Sequence, residues 1–525
     1  MHTHDLALAR SLRFKPLAVW LALAFAHAHG AFASAALPAH PATTRPVTNC
    51  EDDGSAGSLR AVIEAAADGD TIDLQALACS TITLTSGAIV IPLDNLALAG
   101  PGTSLTIDGN GADSLFEHTG SGTLTIDDLT LAHGFKYQNG SEDADGGCIF
   151  SAGSVSLTGT TITGCVAEHG GDVDNFGAIG GAIYAEGDVT MIGSSVTHSE
   201  ARSGDSMHST PGFALAGGIN AGGHLTLIFS TLSNNLATTT STGASSCGGA
   251  FAHGGFDAKY STIADNTASS YEAGESDHGA VFAGGEVQIR GSTISGNTAA
   301  EDAGFAFVGG TATIANSTIS GNHASIGYGG LTAAAPLTLS NSTIAFNEAA
   351  GSVGGGGLVV LNGQPLELES TIIANNTSVG GFAADLDSRH VIIAVTGANN
   401  LVGAVGSNVD LPAGTMRSDP LLGPLLDNGG ATRTHALLSG SPAIDAGNDT
   451  ADLDTDQRGS GFARVVGAVA DIGAFETNPD VVFVNGFNCP ARRSLAQMRP
   501  VRVLAAPRAS AATRRGGSSS EMLVG

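Results

Sequence analysis

The sequence predicts an all-β chain wound as a parallel β-helix, a solenoid of short strands with an N-terminal cap, a C-terminal capping domain and a disordered tail. Three observations predict it. The chain is Gly-rich and charge-poor, a cassette recurs through its middle, and the cassette alternates apolar and polar residues with no helical period. Gly is 74 of 525 residues, while charged residues are 13% and aromatics 5%; that Gly share is about twice the usual one. Such a composition excludes a charge-rich disordered chain and a long coiled coil. The formal net charge of −28 argues against a nucleic-acid partner, because an acidic surface repels phosphates.

The elements follow in chain order. Residues 1–35 read as an export signal: Arg10, Arg13 and Lys15 precede the apolar run Pro16 to Gly30. Ala31-Phe32-Ala33 or Ala33-Ser34-Ala35 then offers a small-x-small cleavage site. A membrane anchor is the alternative, but the run is short against the roughly 20 residues a span needs. Of later segments His390 to Gly406 comes closest to a span, and Gly397, Asn399, Asn400 and Gly403 interrupt it. The mature chain is therefore expected to have no transmembrane segment and to be exported. Residues 36–100 form the expected N-terminal cap and first rungs, 101–400 the repeats, 401–477 a C-terminal cap, and 478–525 a short element with a basic disordered tail.

The repeat is the main signal. Its second half reads Ser261-Thr262-Ile263-Ala264-Asp265-Asn266 and recurs at Ser292–Asn297, Ser317–Asn322, Ser342–Asn347 and Ser370–Asn375. Degenerate copies surround Ile162, Val196 and Leu232, and the key apolar residues are spaced 34, 36, 31, 31, 25, 25 and 28 apart. Its first half is a Gly pair before a short apolar segment, as in Gly180-Gly181-Ala182-Ile183 and Gly248-Gly249-Ala250-Phe251. Val287-Gln288-Ile289 and Leu337-Thr338-Leu339 alternate with period two, so one face points inward. One rung is too small to bury that face alone, so rungs stack about 4.8 Å apart. Asn235, Asn266, Asn297, Asn322, Asn347 and Asn375 share one column and are expected to form an amide ladder from rung to rung, with Cys165 and Ser199 in the column earlier. A ligand role for the six Asn is the minor alternative.

Six cysteines stand at 50, 79, 148, 165, 247 and 489. Export favours pairing. Cys50 and Cys79 flank the helix-like Leu59 to Ala67 and are expected to bridge; Cys148 and Cys165, about half a rung apart, are left unpaired.

The insertions all fall between the Asn column and the next Gly pair, so they project from one edge and carry many acids. Asp143, Asp145, Asp172 and Asp174 are candidate Ca²⁺ ligands there, since hard cations take several carboxylate oxygens. Asp452, Asp454 and Asp456 are a second candidate set. A solvated acidic edge and a polar turn are the competing readings, and no other cofactor is implied. A glycosidase needs two carboxylates about 5 to 9.5 Å apart, which stacked rungs could place, for example Asp145 with Asp174. A lyase wants a basic residue, and Lys136, Arg202, Lys259 and Arg290 are the candidates between positions 61 and 388. Against both, the mature chain has no Trp for a sugar cleft, and its histidines are scattered.

Several motifs match known families. The Gly-Gly cassettes resemble those of polymorphic outer-membrane-protein-like right-handed parallel β-helices. Gly57-Ser58-Leu59-Arg60-Ala61-Val62-Ile63, followed by Gly69-Asp70-Thr71-Ile72, resembles the CSLREA leader of exported β-helix proteins, with Gly57 where that motif has Cys. Asp419-Pro420-Leu421-Leu422-Gly423, Asp427-Asn428-Gly429-Gly430, Thr434-His435-Ala436-Leu437, Ser441-Pro442-Ala443-Ile444-Asp445-Ala446-Gly447, Asp456-Gln457-Arg458-Gly459 and Asp471-Ile472-Gly473-Ala474-Phe475-Glu476 resemble the choice-of-anchor Q domain of bacterial surface proteins. The resemblance implies a right-handed coil, secreted or displayed at the cell surface of a Gram-negative bacterium, and assigns no reaction. In the Q-like region, His435, Asp445, Asp456, Arg458 and Asp471 are expected to form a buried polar network capping the last rung. The expected function is an adhesin-like or structural binding module, monomeric, with an extracellular glycan or surface protein as partner; the alternative is a polysaccharide lyase or glycoside hydrolase on the same coil.

Overall fold

The computed structural model describes residues 42–478 except 171–175, 205–211, 240–243, 271–276, 353, 381 and 390. The leader, Asp172, Asp174, Cys489 and the basic tail therefore lie outside the described residues. The described residues up to Thr477 form one compact unit.

The unit is a right-handed parallel β-helix. One rung shows the path. From the Gly pair at 248–249 the chain runs through Ala250–Ala252 in a first sheet and Gly255–Lys259 in a second. It continues through Thr262–Ala264 in a third sheet and Thr267–Ser270 in a fourth. These sheets hold 11, 12, 12 and 9 strands, and a short one of 4 strands precedes the Gly pair in the early rungs. Every pairing within them is parallel and in register, as in Ile263↔Ile294↔Ile319↔Ile344. The antiparallel pair among the described strands is Leu422–Leu426 with Thr434–Leu437. The described helix, Leu59–Glu64, is capped by the Ser58 hydroxyl, and no described helix is long and apolar enough to cross a membrane.

Alternation fills the lumen. In Glu286–Arg290, Val287 and Ile289 are buried and their neighbours exposed. Only the first three sheets enclose the main core; each fully buried Ile or Leu there is worth about 1.5–3 kcal/mol. The fourth sheet and the short one form a separate fin whose described core is four alanines, Ala144, Ala167, Ala178 and Ala201. The insertions are thus excursions from a three-sided coil, leaving at the Asn corner and returning at the Gly pair. The return is tight: a Cβ on Gly329 would come within 2.7 Å of the Glu348 and Gly356 carbonyls.

At the corners the strand ladder lapses, and side chains take over the backbone N–H groups. Asn235, Asn266, Asn297, Asn322 and Asn347 each donate Nδ2–H to the next Asn Oδ1 at 2.8 to 3.0 Å. The same Oδ1 also accepts the backbone N–H of the previous rung's Asn, and the second Nδ2 proton reaches a carbonyl one rung back, as Asn297 does to Ile263. A second column at the preceding corner is hydroxylic: the N–H groups of Thr160, Ser194, Ser230, Ser261, Ser292 and Ser317 each donate to the next rung's Ser Oγ.

The last Asn of the ladder is Asn376, not Asn375. Ile344 pairs with Ile373, one residue beyond the expected Ile372, so Asn376 is buried and accepts from Asn347. Asn375 is the exposed corner residue at φ 61°. Sequence pattern misplaces the register because Ile372 points outward yet is fully buried, covered by Ile472 of the C-terminal segment. Asn376 donates in turn to Asp385, an acceptor-only carboxylate that ends the donor chain.

Cys50 and Cys79 are disulfide-bonded beside the helix. Cys148 and Cys165 are bonded too, with Cα atoms 5.4 Å apart, contrary to the unpaired expectation. The excursion explains it. Cys165 stands in the Asn column and Cys148 where later rungs carry the second Gly, and the fin's exit and return bring these corners side by side. The described free cysteine is Cys247, which is buried.

Leu401–Val402 completes the third sheet and Val405, Val409 and Leu411 pack against the core, but the segment beyond, from Pro420, does not cap the last rung. It lies along the outer face of the third sheet. Thr293 and Thr318 donate to the Arg433 carbonyl and Gln457 Oε1 at 2.7 and 2.6 Å, and Asn316 and Asn341 to the carbonyls of Thr455 and Asn448 at 2.6 and 3.0 Å. Buried pairs Asp456–Arg458 and Glu476–Arg464 brace the segment internally, whereas the Asp445 side chain is exposed.

Two stability outcomes follow. Asn297→Ala strands the buried Asn266 N–H and amide and is expected to cost about 3 kcal/mol, whereas Asn375→Gly stays within about 0.5 kcal/mol; urea unfolding compares them. Replacing Cys148 and Cys165 by Ser is expected to cost about 3 kcal/mol, and C148G with C165N, the later rungs' pattern, to recover part of it.

Candidate functional site

Of the expected calcium ligands, Asp172 and Asp174 lie outside the described residues, and the described ones stand in two places, Asp143 and Asp145 in the fin and Asp452, Asp454 and Asp456 in the C-terminal segment. Asp143 Oδ1 accepts the Gly177 N–H at 2.9 Å, within the fin. Asp452 and Asp454 are exposed, while Asp456 is buried and bound to Arg458 at 2.6 Å. Among the described residues no group of three or more His, Cys, Asp and Glu is arranged to hold a metal ion. The fin's acids are also more paired than the sequence suggests. Arg202 binds both Glu168 and Glu200, and His323 meets Glu348 at 3.0 Å.

A different surface stands out, the outer face of the first sheet. In each three-residue strand there the flanking residues point into the lumen and the middle one points out. The middle residues, in rung order from Phe116–His118 onward, are Glu117, Phe150, Tyr184, Asn220, Phe251, Phe282, Ala306, Thr332, Val359 and Asp387. Parallel register turns this into a column of rings. Phe150 and Tyr184 stack at 5.5 Å with planes 2° apart, and Phe251 and Phe282 at 5.0 Å. All four are half-buried, and Phe251 also meets the His253 ring at 4.3 Å and Phe282 the His278 ring at 4.7 Å. The spacing signal was present in the sequence, an aromatic second in the strand in four of these rungs, as in Ala250-Phe251-Ala252 and Val281-Phe282-Ala283, with Asn220, Ala306 and Thr332 there in others.

The fin's return edge lies beside this column. Within Ala144–Asp145, Ala144 enters the fin core, so Asp145 faces the other way, toward Tyr184. Burial, then the charges of Asp143 and Glu186, push the Asp145 carboxyl up to about 7, with Lys136 opposing; its Oδ1 is shielded from water without a hydrogen-bond partner. Burial and the same acids push the Tyr184 hydroxyl up to about 12.

Farther along, His278, Asp302 and Tyr328 occupy successive rungs at the Gly-pair corner. The His278 ring lies 4.7 Å from Phe282, and its Nδ1 lies 3.4 Å from Asp302 Oδ2, an ion-pair contact outside good hydrogen-bond geometry. Burial opposes the charged imidazole, but Asp302, Asp277 and Glu301 outweigh it and raise the His278 pKa. Thr332 donates to Asp302 at 2.6 Å. The Arg389 guanidinium lies 5.5 Å from the Tyr328 ring and 5.3 Å from Phe382, at the mouth of a cleft of about 520 Å³. This corner joins an acid, a base and a cation at one end of the ring column.

A larger cleft, about 870 Å³, lies between the third sheet and the C-terminal segment. At its closed end the Ser320 hydroxyl meets His435 Nε2 at 2.8 Å while His435 Nδ1 bonds the Gly423 carbonyl at 2.7 Å. These partners assign the proton to Nδ1, and burial holds the imidazole pKa below its usual value. Ser320 and His435 are 2% and 4% exposed, so the pair clamps the segment to the coil.

No protein-family model matches the chain, and no curated protein matches it. Among solved structures it is similar to pectate lyase Pel9A, at 13% identity and a TM-score of 0.39 over 83% of this chain and 98% of that one. It is also similar to the A-modules of the mannuronan C-5 epimerases AlgE4 and AlgE6 of Azotobacter vinelandii. Identities there are 12% and 14%, TM-scores 0.31 and 0.32, each over 69% of this chain and 95% of the other.

The Asp145 environment has a pH signature. A carboxyl raised in the fold above its unfolded value stabilises below about pH 4 and loses that contribution as pH rises through about 7. Relative to wild type, Asp145→Asn should therefore gain stability between pH 4 and 8. A gain of about 1–2 kcal/mol allows for the residue's partial exposure; urea midpoints across that range measure it.

Proposed function

We propose that this protein is an exported β-helix that binds an extended extracellular glycan along the outer face of its first sheet. The observation that carries the reading is the pair of half-buried ring stacks, Phe150 on Tyr184 and Phe251 on Phe282, in one outward column beside the fin. Ring faces pack against the apolar faces of sugars, and tyrosine adds a polar edge. A rung advances by about 4.8 Å, close to the length of one sugar in an extended chain, so the two rings of each pair address successive residues, with Asn220 between the pairs. The role is adhesion or surface binding, with the contact on a flat sheet face beside the loops.

A second reading, cleavage of the bound glycan, is favoured by His278, Asp302, Tyr328 and Arg389 at the end of the column. There an imidazole and carboxylates adjoin the rings, the grouping that general acid–base chemistry requires.

Affinity electrophoresis against a panel of soluble polysaccharides tests the binding. Phe251→Ala and Phe282→Ala are each expected to weaken it about tenfold, on the order of 1 kcal/mol per lost ring contact. Unchanged mobility of the wild-type protein across the panel would overturn the glycan reading. Release of new reducing ends, lost in Asp302→Asn, would promote the cleavage reading.

A further inference from the structure

We propose that the glycan bound by the ring column carries amino groups: an amino-sugar polymer with free amines. The inference rests on the glycan reading above and names the chemistry of its ligand.

The charge around the column carries it. Glu117 is the outward residue one rung before Phe150, and Asp143, Asp145 and Glu186 surround Tyr184. At the other end Asp277, Glu301 and Asp302 surround His278 beside Phe282. The facing basic groups are Lys136, the His278 imidazole and Arg389. Both ends of the ring column are therefore acidic, on a chain whose formal net charge is −28. A polyuronate laid there meets like charge at both ends. A protonated amine meets carboxylates, and between them ring faces, which attract cations through the aromatic quadrupole. Asp145 Oδ1, shielded from water without a donor, lies on the same side. Neither the rings nor the acids alone select this ligand; acids at both ends of the rings do.

The full mature chain is titrated calorimetrically with glucosamine oligomers, their N-acetylated counterparts, polygalacturonate and oligolysine at low and high salt. The expected result is at least tenfold tighter binding of the glucosamine oligomers than of the N-acetylated ones, weakened by salt. Glu117→Gln and Asp302→Asn should each remove much of that preference, while Phe251→Ala should weaken binding of both oligomers. Equal or tighter binding of the N-acetylated oligomers or polygalacturonate would overturn the amine inference and leave the glycan reading standing. Oligolysine binding as tightly as glucosamine oligomers, unaffected by Phe251→Ala, would overturn it as mere charge attraction. No carbohydrate binding at all would remove both.

Discussion

The coil depends on what happens to backbone N–H groups where its strands stop. Within a strand each N–H finds a carbonyl one rung away. At a corner it does not, and a buried unpaired donor costs roughly 1–3 kcal/mol, repeated at every rung. Two side-chain columns remove this cost. The hydroxyls of Ser194 through Ser342 serve one corner, and the amides from Asn235 to Asn376 serve the next. The amide column has a direction, since each Asn gives protons toward the C-terminus. It must end on a group that only accepts, and Asp385 is that group. Before Asn235 the column begins with Ser199 and Cys165, and there a disulfide joins the corner to the neighbouring Gly-pair corner.

The Asn corner also creates the functional surface. Because the chain leaves and re-enters the coil at adjacent corners, the excursion stands as a fin beside the first sheet. Its own core is alanine, so its two layers are thin and close. Its outward residues, Asp145 in early rungs and His278 and Asp302 later, are thereby set against the rings of Tyr184 and Phe282. One element thus supplies charge and another supplies apolar faces, along parallel lines at the same rung spacing.

Much of this is legible in the sequence, unevenly. The recurring Ser-Thr-Ile-x-x-Asn reveals the rung, and the disulfide of Cys50 with Cys79 fits its flanking of the helix. Three readings fail for one reason, that a repeat shows which residues are equivalent and not what covers them. Ile372 looks inward because it is apolar, yet the C-terminal segment buries it on the outside. Cys148 and Cys165 look half a rung apart because the path of the excursion is invisible. His435 and Asp456 look like an end cap because nothing local says that their segment lies along the third sheet.

By itself the sequence determined the period, the inward and outward alternation, the Asn column and the acidic character, because each is written in residue type at fixed spacing. The tertiary structure alone decided which corners touch, which face the C-terminal segment hides and which rings stand beside which acids. Those depend on contacts between residues a rung or more apart, and spacing along the chain does not encode how an excursion returns.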